Sequence, residues 1–183
     1  MNRIIRDANR ASEVVQRIRA LLKKTDIEKV ALDVNEVIHE VVTVVRSELL
    51  RNLVSLQMDL AEALPAVLGD RIELQQVILN LVMNAVEAMS EVDERPRELL
   101  IETHRDEADG VVVMVRDSGV GVDPLNRARI FDAFFTTKPE GLGMGLSISR
   151  SIINAHGGRF WVTANDGPGA SFYFTLPTVS SLS

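Results

Sequence analysis

Apolar residues recur along this chain with two periods, and the switches between them lay out its elements. Ile4, Ala8, Ala11, Val15, Ile18 and Leu22 stand at spacings of 4, 3, 4, 3 and 4. That heptad seam predicts a helix over residues 2–24 that packs on a partner helix in a bundle or dimer; packing on its own domain is the alternative. Lys24 to Lys29 is polar and aperiodic and reads as a linker. A short strand over 30–34 is expected, then a helix capped by Asn35 and running to about Arg51, with Val37, Ile38, Val41, Val42, Val45 and Leu49 on one face. Residues 54–60 alternate as a strand does, and 65–68 add a short extended piece. Asp70-Arg-Ile-Glu73 is a capping-box pattern opening a helix to about Ser90. Two β-rich runs, 98–104 and 111–117, meet at Asp109-Gly110, a hairpin signal. Asp123-Pro124 predicts a short helix, and 143–156 a longer one closed by Gly157-Gly158. A last hairpin, 159–164 with 171–176, turns around Asp166-Gly167, and the Ser-rich tail from Thr178 is expected to fray. The sum is a two-layer α/β sandwich, a mixed sheet with helices on one face, preceded by a long N-terminal helix.

Composition narrows the class. The 183 residues are 46% hydrophobic, enough for a core. The net charge of −6, without a basic block, disfavours nucleic acid as a partner. An acidic protein that binds a polyanion must build its positive potential locally, which gives Lys138 weight. Cysteine is absent, which removes disulfides and thiolate metal sites and fits a cytoplasmic protein. No apolar run of membrane-spanning length occurs, so no membrane contact is expected from this chain, although a longer parent could still carry an anchor.

Four short motifs carry the chemistry. On the helix 70–90, Asn80 and Asn84 stand at i and i+4 beside the apolar stripe. Asn is a poor helix former, and its amide oxygen is a hard neutral ligand suited to Mg²⁺; an ordinary amphipathic helix is the plain alternative. Asp117-Ser-Gly119-Val-Gly121 follows an apolar strand. A carboxylate there can accept from an exocyclic amine such as that of adenine, and the glycines let backbone approach a flat ring; a surface turn would read the same. Phe131, Phe134 and Phe135 precede Thr136, Thr137 and Lys138. They form either an aromatic latch with a lysine aimed at phosphate or core residues beside a solvated lysine. Gly141, Gly143 and Gly145 then open a helix, an arrangement that can cradle phosphates. Neither a P-loop nor a dinucleotide fingerprint nor the protein-kinase signatures occur.

In this order the motifs resemble the catalytic ATP-binding domain of bacterial sensor histidine kinases, of the gyrase-like Bergerat fold. NLVMNAVEA is similar to the asparagine box, DSGVG to the first glycine box, FFTTK to the phenylalanine box and GLGMGLS to the second glycine box. Gly167-Pro-Gly169-Ala-Ser-Phe172 is similar to the last. The resemblance implies ATP and Mg²⁺ as cofactors, with catalytic roles for Asn80, Asn84 and Lys138. Asn80 and Asn84 would be the metal ligands. Asn84, Asp117, Gly119, Gly121, Phe135, Thr137, Lys138, Gly141, Gly143, Gly145 and Leu146 would line the nucleotide. It divides the chain into 1–24, the second helix of a dimerisation hairpin, truncated; 28–178, the catalytic domain; and 179–183, a disordered tail. A homodimer through the N-terminal helix in the parent and a response regulator receiver domain are the implied partners.

Two departures stand out. Ala170 occupies a position where such kinases usually carry Thr, and no phosphoacceptor motif is present. His39-Glu40 imitates it for two residues, but the polar stretch that should follow is Val41-Val42, and His39 reads as a helix-surface residue. His104 and His156 read as structural. Two rivals share the pattern. A gyrase-like hydrolase, or a serine-directed kinase, would use the same fold, but a hydrolase needs a general-base Glu where this chain has Asn80. A nucleotide-binding, dimerising module without kinase activity is the other.

Overall fold

The structure, a computed structural model, describes residues 29–106, 110–136 and 143–179. The expected N-terminal helix lies outside them. Seven strands and three α-helices follow in the order β1 (Val30–Leu32), α1 (Val34–Arg51), β2 (Val54–Leu60), β3 (Val67–Gly69), α2 (Arg71–Ser90), β4 (Arg97–Arg105), β5 (Gly110–Asp117), α3 (Gly145–Ala155), β6 (Phe160–Ala164) and β7 (Ala170–Pro177). The main sheet runs β2-β4-β5-β7-β6. Its β2–β4 pair is parallel and the rest are antiparallel. β1 and β3 form a small separate ribbon. The mixed sheet with helices on one face is the architecture that the periodicities predict.

Strand alternation explains the layering, because successive side chains point to opposite faces. Leu99 and Ile101 of β4, Val111, Val113 and Val115 of β5, and Phe172, Phe174 and Leu176 of β7 are buried in one core with the apolar stripes of the helices. Asp117 shares the parity of Val115 and Val113, so β5 delivers it to the helix side of the sheet, where it is 4% exposed. The other face carries Arg116, Met114 and Tyr173, and there Trp161 and Tyr173 stack at 5.3 Å between centroids.

α2 is the element on which the site depends. Asp70 caps it, its side chain accepting from Glu73 N at 3.0 Å, as the capping box predicts. Such a cap stabilises a helix by about 1 kcal/mol. His156, buried at the end of α3, ties the two helices together. Its Nε2 accepts from Asp70 N at 3.0 Å and its Nδ1 lies 2.8 Å from Ile152 O, so the proton sits on Nδ1. It is structural, as expected, and His39 lies on an exposed helix surface.

Three local expectations are corrected. The cap of α1 is Asp33, accepting from Asn35 N at 2.8 Å. Asn35 already has long-range work: it donates to Ala61 O and accepts from Thr103 Oγ1. Asp123-Pro124 does not open an α-helix. Asp123 captures Leu125 N at 2.9 Å, and the chain runs through turns into a single 3₁₀ turn, Arg129–Phe131. Thr178 and Val179 are held rather than frayed: Thr178 bridges to Val67, and Val179 N donates to Ala66 O at 3.0 Å.

Candidate functional site

α2 presents Asn80 and Asn84 half-buried, one turn apart, on the side that meets α3. Asn80 Nδ2 donates to Gly145 O and to Ser149 Oγ, both at 3.3 Å. The amide is thereby oriented, with its hydrogens toward α3 and its oxygen elsewhere. Gly145 begins α3, and a Cβ there would stand 3.8 Å from the Asn80 amide. α3 differs from α1 and α2 in its N-cap residue: Met144 makes no side-chain cap bond, whereas Asp33 and Asp70 do. The first N–H groups of an α-helix have no partner within the helix, and their dipole favours an anion. Leu146, in that first turn, is half-buried against the core.

The stretch before α3 is bent around glycine. Gly143 has φ +64, and a Cβ there would lie 2.4 Å from Phe135 O, so only glycine fits. Phe134 N donates to Gly143 O at 3.0 Å. Phe134 itself has φ +68 and is 73% exposed. Phe131 is buried edge-on to Phe160, while Phe135 is half-buried with the Arg129 guanidinium 4.6 Å from its centroid. The three phenylalanines therefore divide between a core anchor, an exposed ring and a cation-covered ring. Thr137, Lys138 and Gly141 lie outside the described residues.

At the far end of α2 the turn after β5 is seated against the helix. Val120 N donates to Ala88 O at 3.2 Å, and a Cβ on Gly119 would be 2.7 Å from that same carbonyl. Ala88 follows Asn84 by one turn, so a single helix spans from the carboxamides to Asp117. Asp117 Oδ1 accepts from Gly119 N at 2.8 Å. Gly121 has φ +78, and a Cβ there would lie 3.0 Å from Gly169 O in the last glycine segment. Gly169, at φ +90, brings its Cα so close that a Cβ would overlap Asp117 O.

Sequence reasoning missed two residues here. Asn165 Nδ2 donates to Asp117 O at 3.0 Å and to Pro168 O at 2.9 Å, while its Oδ1 accepts from Ser171 Oγ at 2.7 Å. That bond engages the Ser171 hydroxyl on the outer face, so it does not replace the missing threonine at Ala170, which is buried. Arg95 donates to two carbonyls of the turn. Neither residue belongs to a periodic or glycine-marked pattern.

A fold that joins a helix bearing two carboxamides, a buried acid at a strand end and an uncapped helix after a glycine bend defines a class of nucleotide-binding domain. The chain belongs to the family of histidine kinase-, DNA gyrase B- and HSP90-like ATPases, whose description matches residues 69–180. Within it, the similar proteins are sensor histidine kinases. The sensor protein FixL of Bradyrhizobium diazoefficiens is 38% identical over 178 residues, which cover 97% of this chain and 35% of that protein. A full-length ShkA structure in complex with AMPPNP matches with a TM-score of 0.78 at 27% identity, over 96% of this chain and 38% of that one. Histidine kinase ThkA in complex with the response regulator TrrA matches at 0.75 and 29% identity, over 94% of this chain and 49% of that one. The chain spans about a fifth to a third of the length of the curated relatives it matches. Among the described residues, no helix is long and apolar enough to cross a membrane.

Proposed function

We propose that this chain binds ATP with Mg²⁺ and positions the γ-phosphoryl group for transfer to a histidine on a dimerisation hairpin, from which a response regulator receiver domain takes it. The observation that carries the proposal is the uncapped N-terminus of α3 facing the Asn80 amide across Gly145.

The residues fit the group. The donor set is made of carboxamides, whose oxygens suit a hard cation that keeps phosphate and water ligands. Among the described residues no cluster of three or more His, Asp or Glu could hold a metal without them. Asn80 and Asn84 would hold the ion, which supplies charge neutralisation on the transferring phosphoryl group. The α3 N-terminus offers N–H groups to the phosphates, and Lys138 adds a point charge. The Asp117 carboxylate accepts from the adenine amine, with Gly119 and Gly121 making room for the ring. Asn80 cannot take a proton from water, so the geometry favours a side-chain acceptor over hydrolysis. The chain's part is positioning and electrostatics rather than covalent chemistry.

Incubation with γ-labelled ATP and a supplied hairpin bearing an acceptor histidine should give acid-labile label on the hairpin. Asn84→Ala should lower both that label and the Mg²⁺-dependent part of ATP affinity by about tenfold. Binding of ATP with no transfer would leave a nucleotide-binding module instead. Release of phosphate in the absence of any hairpin, at the rate of transfer, would favour a hydrolase.

A further inference from the structure

The turn that carries Asp117 is gripped through its peptide groups, and two side chains from outside the motifs, Asn165 and Arg95, complete the grip. In a trans peptide the C=O and N–H point in opposite directions, so fixing both ends fixes the plane. Three successive peptides are held in this way. The Asp117 carbonyl accepts from Asn165 Nδ2 while Ser118 N donates to Glu98 O at 3.1 Å. The Ser118 carbonyl accepts from Arg95, through Nε at 3.1 Å and Nη2 at 3.0 Å, while Gly119 N donates to Asp117 Oδ1 at 2.8 Å. The Gly119 carbonyl accepts from Arg95 Nη2 at 2.8 Å while Val120 N donates to Ala88 O on α2. Arg95 therefore holds the carbonyl ends of the two peptides whose N–H ends reach the Asp117 carboxylate and the carboxamide helix.

We propose that Arg95 is a positioning residue for purine selection: its guanidinium orients the Ser118–Gly119 peptide so that the Gly119 N–H fixes the plane of the Asp117 carboxylate. This rests on the reading of Asp117 as the base-recognising acid. The physical basis is twofold. A cation on a peptide carbonyl polarises the N–H of that same peptide, so the bond to Asp117 strengthens along the chain of hydrogen bonds. The planar fork reaches two adjacent carbonyls at once, which an ammonium group does less well. Arg97, the first residue of β4, fastens the connection that carries Arg95 by donating to Val92 O and Ser90 O, and it also donates to Asn52 O.

The test compares the Mg²⁺ complexes of ATP, GTP and inorganic tripolyphosphate by calorimetry on the whole chain, with Arg95→Ala, Arg95→Lys and Asp117→Asn. Arg95→Ala should weaken ATP by about tenfold, narrow the ATP-to-GTP ratio and leave tripolyphosphate binding as it was. Arg95→Lys should fall between Arg95→Ala and the parent. In the amide spectrum, the Gly119 proton should move upfield in Arg95→Ala as its hydrogen bond weakens. If Asp117→Asn collapses the ratio but Arg95→Ala preserves it, the role of Arg95 is refuted and the base reading stands. If Asp117→Asn leaves the ratio unchanged, the base reading fails and the Arg95 role with it. Equal losses for ATP and tripolyphosphate in Arg95→Ala would reduce Arg95 to a general stabiliser and overturn the proposal.

Discussion

The two ends of the candidate site along α2 are built differently. At the Ala88 end, the turn of Asp117 is held by Glu98, Asn165, Arg95 and the helix itself, and the acid is buried. At the Asn80 end, the described residues beside α3 show two bonds from the Asn80 amide, one from Phe134 N to Gly143 O, and an exposed phenylalanine with positive φ. Rigidity is concentrated where a flat base would be distinguished, since discrimination requires donors and acceptors that do not move. The proposed phosphate end offers a helix terminus and carboxamides, which attract an anion or a cation without demanding one exact pose.

The sharpest break of this contrast lies in the last glycine segment. Gly169→Ala must push a Cβ into Asp117 O from a backbone at φ +90, whereas Gly167 has nothing within 4 Å. Gly169→Ala should cost ~3 kcal/mol or more in folding stability and abolish ATP binding, and Gly167→Ala should change stability by no more than ~0.5 kcal/mol. Denaturant unfolding of the pair reads this directly. Equal stabilities would mean that the base-side turn is not rigid.

At the other end, Gly143→Ala meets Phe135 O at 2.4 Å with φ +64. The strain is comparable, about 2 kcal/mol, but the surroundings include an exposed ring and a half-buried one that can shift. The loss should therefore appear mainly as weaker ATP binding, with a smaller drop in thermal midpoint than Gly169→Ala produces. A midpoint drop as large as that of Gly169→Ala would erase the difference between the two ends.

The same division explains what the sequence made legible. The elements with clean periods were readable: α2 with its Asp70 cap, the β4–β5 hairpin and the β6–β7 hairpin stand where alternation and turn residues put them. The motif residues Asn80, Asp117, Gly119, Gly143 and Gly145 were readable as well, because each belongs to a local motif, marked by paired Asn in the first case and by glycine in the others. Their roles toward a nucleotide remain proposals. Arg95 and Asn165 were not readable. Their partners are backbone carbonyls 23 and 48 residues away, and an aperiodic polar residue in a loop carries no trace of such a bond. The cap of α1 was misread for a related reason: Asn35 and Asp33 are both good caps, and the strands beside Ala61 and Thr103 claimed Asn35.

The smallest expected effect concerns Phe134. Its backbone is left-handed, which costs an L-residue about 1–2 kcal/mol, and its ring is 73% exposed and so contributes little burial. Phe134→Gly relieves that cost but adds freedom to the unfolded chain, which returns about 0.5–1 kcal/mol. The net should be a gain of ~0.5 kcal/mol in denaturant unfolding, with ATP affinity within about twofold of the parent. A loss exceeding ~1 kcal/mol would show the ring to be a packing partner and the conformation to be supported by contact. With the expected gain, the phosphate side carries strain that no local packing offsets, and that strain is retained at the junction between the phenylalanine segment and α3, beside the proposed phosphate site. Backbone strain of that kind clusters at ligand clamps, whereas on the proposed base side three successive peptides of the turn are each held at both ends.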